Sequence, residues 1–279
     1  MAPEGYGGCV TRGDNRRGLS RAYSEETWRV YEFLDISLDP RGLDSLYEFA
    51  APHLGNDSRI LDAGCRNAKH LIELIRRYEG TGVGVDPVAI HVSRAHDAVA
   101  AADLSARVQV REGLMEELPE DVGRFDFIWC RDVVEGVAAL DPFMSTAHQL
   151  LEPSGRMLVY TVFYSDLMSS SERDMMGRML GNVPRNLIEA NVEDSFARAS
   201  FAIERKDVIG SEWREHAEES KGGVSQSLLR LSRLRRQREE LVERFGSDVV
   251  DHVEANLHWL PYLILGKLVP TVYILRPLT

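Results

Sequence analysis

The sequence has little cysteine and no long apolar run. Its three cysteines among 279 residues have no CxxC spacing and no obvious pairing, which argues against a disulfide framework and a structural zinc site. The first 18 residues contain no apolar core of signal-peptide length, and the longest late apolar stretch, residues 260–265, is too short to span a bilayer. We therefore expect a soluble, cytoplasmic protein that neither enters a membrane nor holds a metal ion.

An excess of basic residues is also absent. The 33 lysines and arginines are outnumbered by 44 aspartates and glutamates, for a net charge of −11, which argues against a nucleic-acid partner. A hydrophobic fraction of 44% and a charged fraction of 28% are typical of a folded globular chain. The composition predicts an enzyme or binding protein with a small-molecule partner, and a homo-oligomer is compatible with it.

From residue 57 onward, strand-like and helix-like segments alternate. Apolar strand patterns lie at residues 59–63, 81–86, 107–111, 125–130 and 156–163, and helical spacing fills residues 68–78, 89–102 and 142–151 between them. Parallel strands joined by short helical connections require right-handed crossovers. We therefore predict an α/β fold built on a doubly wound, mostly parallel sheet.

The second half of the chain is less regular. Residues 186–199 have a helical pattern, and strand patterns follow at residues 201–209 and 271–276. The helical region at residues 212–267 is too long for a structureless loop, so we predict a helical cap at residues 211–267, inserted before the last strand. The core then comprises residues 57–210 and 268–279. Residues 1–56 are expected to form a mobile tail and two cap helices.

Two carboxylates end consecutive strand patterns. The first strand ends at Asp62 and a turn at Gly64, and the second ends at Asp86, 22 residues after Gly64. Such a turn aims backbone N–H groups and a helix N-terminus at a ligand, and an acid at the second position accepts hydrogen bonds from ribose hydroxyls. The spacing predicts a nucleoside-containing ligand. The alternative is that Gly64 only turns the chain and Asp86 only caps a helix before Pro87.

Four motifs carry a family resemblance. ILDAGCRNAKH at residues 60–70, VGVDP at 83–87, FDFIWCRDVVEGV at 125–137 and LLEPSGRMLV at 150–159 follow one another in order. Together they resemble the motifs of class I S-adenosylmethionine-dependent methyltransferases over residues 57–164. The resemblance implies a Rossmann-like seven-stranded sheet with an antiparallel last strand and S-adenosylmethionine as cofactor. The N-terminal helices and late insertion are most similar to small-molecule enzymes, including sugar, tocopherol, sterol and prenyl-diphosphate methyltransferases.

The sequence departs from the family pattern at the cofactor loop. GxGxG reads Gly64-Cys65-Arg66-Asn67-Ala68, and we expect Arg66 either to pair with the cofactor's methionine carboxylate or to point into solvent. The adenine-binding acid is replaced by Leu114, so apolar packing would hold the base. The cofactor-binding residues that we infer are Tyr23, Asp62, Gly64, Arg66, Asp86, Pro87, Leu114, Met115, Cys130 and Arg131.

Candidate acceptor-binding and proton-accepting groups lie mainly in the cap. His216 is the predicted general base, with Glu212 beside it, because the segment leaves the carboxyl end of a strand. Glu215, Asp132 and Glu135 are further candidates, and the alternative for His216 is a structural role. The predicted substrate-binding residues are Tyr164, Trp213, His258 and Trp259.

An arginine-rich segment at residues 227–238 admits three interpretations. It is a solvated basic face, a site for a phosphate-bearing acceptor, or an RNA contact, in that order. The sequence thus predicts a methyltransferase that modifies a small metabolite. The alternatives are a non-catalytic S-adenosylmethionine-binding protein of the same fold and a prenyl-diphosphate C-methyltransferase that uses the basic helix.

Overall fold

A computed structural model of the chain describes residues 42–278, and within that range seven strands form one sheet. The strands are β1 (Arg59–Ala63), β2 (Thr81–Asp86), β3 (Val108–Glu112), β4 (Phe125–Arg131), β5 (Leu151–Tyr164), β6 (Phe201–Val208) and β7 (Leu268–Pro277). Their order across the sheet is β3-β2-β1-β4-β5-β7-β6. Only β7 runs antiparallel to its neighbours. The predicted seven-stranded, mostly parallel α/β sheet is confirmed.

Ten α-helices accompany these strands within the described residues. They are α1 (Leu46–Ala50), α2 (Lys69–Tyr78), α3 (Ala89–Ala101), α4 (Leu140–Leu150), α5 (Ser170–Leu180), α6 (Glu189–Arg198), α7 (Glu212–Lys221), α8 (Gly223–Arg236), α9 (Arg238–Phe245) and α10 (Ser247–Ile264). Helices α7 to α10 lie between β6 and β7 along the chain and form the helical cap. None of the helices within residues 42–278 is long and apolar enough to cross a membrane.

The sheet reverses its strand order at β1. Strand β1 pairs in parallel with β2 on one side and with β4 on the other. The carboxyl ends of these three strands therefore meet at one edge, which we call the carboxyl edge. In open α/β sheets, ligands bind outside such an edge, at the point where the order reverses.

Apolar residues on both faces of the sheet build the core. Along β4, Phe127 and Trp129 pack in one buried cluster, whereas Ile128 and Cys130 pack in another. This alternation follows from the two-residue period of a strand. Because helices cover both faces, the strand reads as a continuous apolar run.

The structure departs from the sequence prediction at three elements. Helix α5 was not predicted, although Ser169 and Glu172 form a reciprocal capping box at its start. Strand β5 begins at Leu151 rather than Arg156, with a register shift between these two pairings. The long helical region is interrupted at residues 222, 237 and 246, where glycines 222 and 246 adopt positive φ angles of 62° and 87°.

Helix α1 of the N-terminal segment packs into the core. Leu46, Tyr47, Phe49 and Ala50 of α1 are buried in the same cluster as Trp129. The other predicted N-terminal helix, with Tyr23, lies outside the described residues. The three predicted domain boundaries remain predictions.

Candidate functional site

The loop after β1 forms a tight turn against β2. The N–H groups of Gly64 and Cys65 both donate hydrogen bonds to the Val85 carbonyl, at 2.9 and 3.0 Å. Gly64 has φ = +76°, and Arg66 and Ala68 also adopt left-handed conformations, with φ = +50° and +57°. The two residues that replace family glycines thus keep a backbone conformation that glycine adopts without strain.

Asp86 is bonded directly to this turn. Its Oδ2 accepts a hydrogen bond from the Arg66 N–H at 2.9 Å. Its Oδ1 accepts from the Val88 N–H at 3.0 Å and from His91 Nδ1 at 3.0 Å. The turn at Gly64 and the acid that ends β2 are therefore in direct contact, as a nucleoside-binding site requires. Asp86 also caps the segment that follows it, through the Val88 N–H. The acid therefore makes the capping contact of the alternative interpretation as well as the contact with the turn.

Apolar side chains flank Asp86 on the surface. The Gly113 N–H donates to the Asp86 carbonyl at 3.1 Å, which places the neighbouring Leu114 beside the carboxyl edge. Leu114 is 45% exposed and Val88 is 42% exposed, whereas Met115 is buried in the core. The structure thus separates the predicted pair: Leu114 is free to contact a base, and Met115 packs the sheet. Pro87 lies exposed between Asp86 and Val88.

A row of charged groups continues along the carboxyl edge from β1 to the loop after β4. Burial raises the pKa of Asp62 to about 7, although the Arg131 charge opposes that shift. Arg131 Nε lies 3.2 Å from Asp132 Oδ2. Asp132 is exposed, and the charges of Arg131, Arg214 and Arg66 favour the ionised form of its carboxylate. Acidic side chains and arginine guanidinium groups therefore lie next to one another along the carboxyl edge.

Glu135 is a second deeply buried acid of this row. Its Oε1 accepts hydrogen bonds from Thr161 Oγ1 at 2.9 Å and from the Val162 N–H at 3.1 Å. Its Oε2 is buried without a hydrogen-bond partner among residues 42–278, as is Asp62 Oδ2. Burial, reinforced by the Asp132 charge, raises the pKa of Glu135 to about 8. A carboxyl with that pKa can take up and release a proton near neutral pH.

We expect the free energy of unfolding to fall as the pH rises from about 6.5 to 8. In that range the folded state keeps a proton on Glu135 (pKa about 8), while the unfolded state, with an ordinary pKa of 4.5, has lost it. The unfolded state binds fewer protons, so stability decreases with pH. Below pH 6.5, buried His70, whose pKa is lowered to about 3, acts in the opposite direction.

The Glu135→Gln variant should lose this dependence. Urea denaturation at several pH values should show a fall between pH 6.5 and 8 that is about 2 kcal/mol smaller than in the wild type. An identical slope in both proteins would show that Glu135 does not hold the proton.

Three predicted residues lie on the first cap helix, α7. Trp213 is only 3% exposed and packs edge-on against Phe49, with ring centroids 6.4 Å apart, so its ring joins the cap to the core. His216 is half-buried with its ring against Gly42, and the Glu212 carboxylate turns back toward Gly210. Their assignment as substrate-binding and catalytic residues remains a prediction.

The other predicted substrate-binding residues divide between two places. Tyr164 and Trp259 pack against one buried cluster below the cap, beside Tyr262. His258 instead faces α8: its Nδ1 donates to the Glu254 carbonyl at 2.7 Å, and Arg235 Nη2 donates to its Nε2 at 3.3 Å. Tyr164 and Trp259 thus share one buried cluster. His258 is instead hydrogen-bonded to other residues of the cap.

The arginine-rich segment is partly neutralised inside the cap. Arg235 and Arg238 both pair with Glu254, at 3.0 and 2.8 Å, and Arg238 also pairs with Asp251. These contacts favour the interpretation as a solvated helix held by ion pairs over a phosphate site. Among residues 42–278, no group of three or more histidines, cysteines or acids is arranged to hold a metal ion.

The described part of the chain also has two surface cavities. One, of about 630 Å³, includes Tyr47, Lys69 and Arg77 in its lining, and the other, of about 380 Å³, includes Arg185 and Asp194. None of the predicted site residues that the structure describes lines either cavity. The candidate site is therefore defined by its polar groups and its place in the sheet.

Comparison with known proteins agrees with this geometry. A family model described as a methyltransferase domain matches residues 36–201, more than half of the chain. The chain belongs to the methyltransferase domain family. The resemblance to class I methyltransferases that the four motifs predicted is thereby confirmed.

Two ubiquinone biosynthesis O-methyltransferases are similar in sequence to part of this chain. The chain is 33% identical over 137 residues to the ubiquinone biosynthesis O-methyltransferase of Azorhizobium caulinodans, covering 45% of this chain and 52% of that protein. It is 36% identical over 106 residues to the mitochondrial ubiquinone biosynthesis O-methyltransferase of Rattus norvegicus, covering 37% of this chain and 30% of the relative. The chain spans about half or less of these relatives.

Solved structures share the methyltransferase fold over most of the chain. A geranyl diphosphate C-methyltransferase from Streptomyces coelicolor superposes with a TM-score of 0.62 at 14% identity, covering 84% of this chain and 78% of that one. A cyclopropane synthase from Mycobacterium tuberculosis gives a TM-score of 0.62 at 16% identity, covering 82% and 83%. These proteins carry out different reactions, so the likeness establishes the fold and leaves the reaction to the site.

Sequence reasoning missed several contacts of the methyltransferase site. His91 donates to Asp86, and Arg214 Nη2 donates to Tyr160 Oη at 3.3 Å, which ties α7 to β5. His70, in the first turn of α2, bonds Arg131. A histidine five residues after a strand-ending acid is a weak signal, and the contacts of His70 and Arg214 join distant parts of the chain.

Proposed function

We propose that the chain is an S-adenosylmethionine-dependent methyltransferase that acts on a small-molecule acceptor. The observation that carries this proposal is the bond from the Arg66 N–H to Asp86 at the point where the strand order reverses. It joins a left-handed turn to a buried acid in the arrangement that a nucleoside needs. The family's reaction and the S-adenosyl-L-homocysteine bound in the Streptomyces coelicolor neighbour support S-adenosylmethionine as the cofactor.

The residues of the carboxyl edge fit the parts of this cofactor. Asp86 would accept a hydrogen bond from a ribose hydroxyl, since a carboxylate has about four acceptor sites and Arg66, Val88 and His91 use three of them. The exposed apolar surfaces of Val88 and Leu114 would hold the adenine. Asp62, with a buried unpartnered oxygen, and Arg131 stand close enough to influence each other's charge. They would face the ammonium and carboxylate of the amino-acid end.

The bound cofactor supplies an electrophilic methyl group on a sulfonium. The chain's own contribution is to orient the acceptor atom in line with that methyl group and to exclude water. An oxygen acceptor must also lose a proton. The candidate proton acceptors are His216 with Glu212 on α7 and, at the carboxyl edge, Glu135, whose pKa of about 8 suits that task.

The cap and the end of β5 would select the acceptor. Tyr164 and Trp259 pack against the same buried cluster and would line the acceptor pocket. The relatives named as ubiquinone biosynthesis O-methyltransferases make a hydroxylated small molecule the first acceptor class to test. Their matches cover less than half of this chain, so the acceptor itself must be found by assay.

Calorimetric titration of the purified full-length chain tests the cofactor first. We expect S-adenosylmethionine and S-adenosylhomocysteine both to bind and to raise the melting temperature. A radiolabelled methyl group should then be transferred to at least one compound in a panel of small phenols, alcohols and amines. The absence of heat and thermal shift with both cofactors would overturn the proposal.

A second candidate is a non-catalytic protein that binds the same cofactor. It is favoured by the non-glycine residues Arg66 and Ala68 at left-handed positions of the cofactor loop. Cofactor binding without transfer to any compound of the panel would support it. Robust methylation of any compound would eliminate it.

A further inference from the structure

Three side chains from separate elements form a hydrogen-bonded chain behind the carboxyl edge. Arg131, at the end of β4, bonds through Nη1 to Nε2 of His70, in the first turn of α2. The other ring nitrogen, His70 Nδ1, lies 2.6 Å from the Tyr47 hydroxyl on α1. Tyr47 lies outside the four family motifs and His70 is the last residue of the first one, and neither is among the inferred cofactor-binding or catalytic residues.

The chemistry of the groups fixes the direction of each bond. A guanidinium only donates, so His70 Nε2 must be the acceptor and Nδ1 must carry the proton. That proton is then donated to the Tyr47 oxygen. Burial and the adjacent Arg131 charge lower the pKa of His70 to about 3. The ring is therefore neutral at physiological pH and remains able to accept from Arg131.

Ring stacking holds this chain in place. The His70 ring is 5.6 Å from that of Trp129 at an interplanar angle of 25°, and the Tyr47 ring is 5.4 Å from Trp129 at 17°. Trp129 is fully buried in β4. Rotation of either ring would break its stack and its hydrogen bond together, so the rings define one position for the guanidinium.

Two nitrogens of the Arg131 guanidinium have identified neighbours. Nε lies 3.2 Å from Asp132 Oδ2 in an ion pair, although it is buried without a hydrogen-bond partner among residues 42–278, and Nη1 is bonded to His70. Within residues 42–278 no hydrogen bond engages Nη2. The charge of Arg131 also reaches Asp62, at the end of the neighbouring strand. His70 and Asp132 thus neighbour Nη1 and Nε of the guanidinium group, which leaves Nη2 for a ligand beside Asp62.

We propose that Tyr47 and His70 are positioning residues, which hold Arg131 so that its free Nη2 binds the carboxylate at the amino-acid end of the cofactor. This inference rests on the proposed function, because it concerns one group of the same ligand. The competing explanation is that Arg131 only neutralises Asp62 and Asp132 and that the two rings only pack the core.

A pair of ligands that differ in one group separates these explanations. S-adenosylmethionine and its decarboxylated analogue share the nucleoside, the sulfonium and the amine. Calorimetry on the full-length chain would compare both ligands in the wild type, Tyr47→Phe, His70→Leu and Arg131→Gln. Tyr47→Phe keeps the ring and its stacking and removes only the hydroxyl, so it remains informative if His70→Leu fails to fold. The exposed His96→Leu on α3 is the matched control.

The expected result is a larger loss for the ligand that carries the carboxylate. His70→Leu and Arg131→Gln should weaken S-adenosylmethionine binding about tenfold or more, the effect of one lost charge-assisted hydrogen bond, and Tyr47→Phe less. The decarboxylated analogue should bind Tyr47→Phe and His70→Leu within about twofold of the wild type. Arg131→Gln also removes the charge beside Asp62, so it should weaken the analogue as well, but less than it weakens S-adenosylmethionine. In the Arg131→Gln background, His70→Leu should add nothing, as expected for two residues that act through one contact.

Equal weakening of both ligands in the variants would overturn the inference and indicate a structural role. Independent, additive effects of His70→Leu and Arg131→Gln would overturn it as well. Failure of the wild type to bind either ligand would instead overturn the proposed function, and that outcome is visible before any variant is measured.

Discussion

The Gly64→Ala variant is expected to lose about 3 kcal/mol or more of its free energy of unfolding. Gly64 has φ = +76°, a conformation that costs alanine about 1–2 kcal/mol. A Cβ at this position would also overlap Cγ2 of Val133, a β-branched side chain with little freedom to move. Forcing a methyl group into such a contact adds about 1–3 kcal/mol. Urea denaturation of the two proteins measures the sum.

A matched glycine separates the two contributions. Gly181 has φ = +71°, and a Cβ there would meet nothing within 4 Å, so Gly181→Ala should show only the conformational cost. The double variant Gly64→Ala with Val133→Ala should recover part of the loss by opening space for the new methyl group. Equal losses in the Gly64 and Gly181 variants, without recovery in the double variant, would show that close packing against Val133 is not what requires glycine.

The Asp86→Ala variant is expected to lose both cofactor affinity and stability. The carboxylate would make a charge-assisted bond to the ribose through its one remaining acceptor site, and the loss of one such bond corresponds to a fall in affinity of about tenfold or more. The same substitution removes the acceptor of the Arg66 and Val88 N–H groups. Leaving these donors unpaired costs on the order of 2 kcal/mol.

Calorimetry with S-adenosylhomocysteine and urea denaturation measure the two losses separately. Asp97→Ala is the matched control, because Asp97 is exposed on α3 and its removal changes the net charge equally. That variant should bind and unfold like the wild type. If Asp86→Ala unfolded more readily yet bound the cofactor with wild-type affinity, the acid would be structural and the ribose would be held elsewhere.

The strand pattern of the sheet was readable from the sequence because the central strands are buried on both faces, whereas the edge strands β3 and β6 are largely exposed. All seven predicted strands occur within a few residues of their expected bounds, from β1 at Arg59–Ala63 to β7 at Leu268–Pro277. Helix α5 was missed because its apolar positions are few and its capping box at Ser169 was not weighed. The bulge that lets β5 begin at Leu151 depends on pairing with Phe125, which local sequence does not specify.

The site was predictable to the extent that it lies on strand ends. Asp62, Gly64 and Asp86 could be placed at one edge because parallel strands bring their carboxyl ends together. Leu114 and Met115, adjacent in sequence, could not be distinguished, and burial separates them into an exposed and a core residue. Trp213 was expected to line a pocket, and it packs against Phe49, about 160 residues away in sequence.

The sequence by itself determined the sheet, the turn at Gly64 and the acid at the end of β2, because strand periodicity and backbone conformation are set by residues close together in the chain. The tertiary structure decided how the charges are used. The Arg66 N–H bonds to Asp86, His70 and Tyr47 bond in series to Arg131, and the Glu135 carboxyl is buried beneath β5. Each of these contacts joins segments at least 20 residues apart, and their energies come from burial that only the packed fold provides.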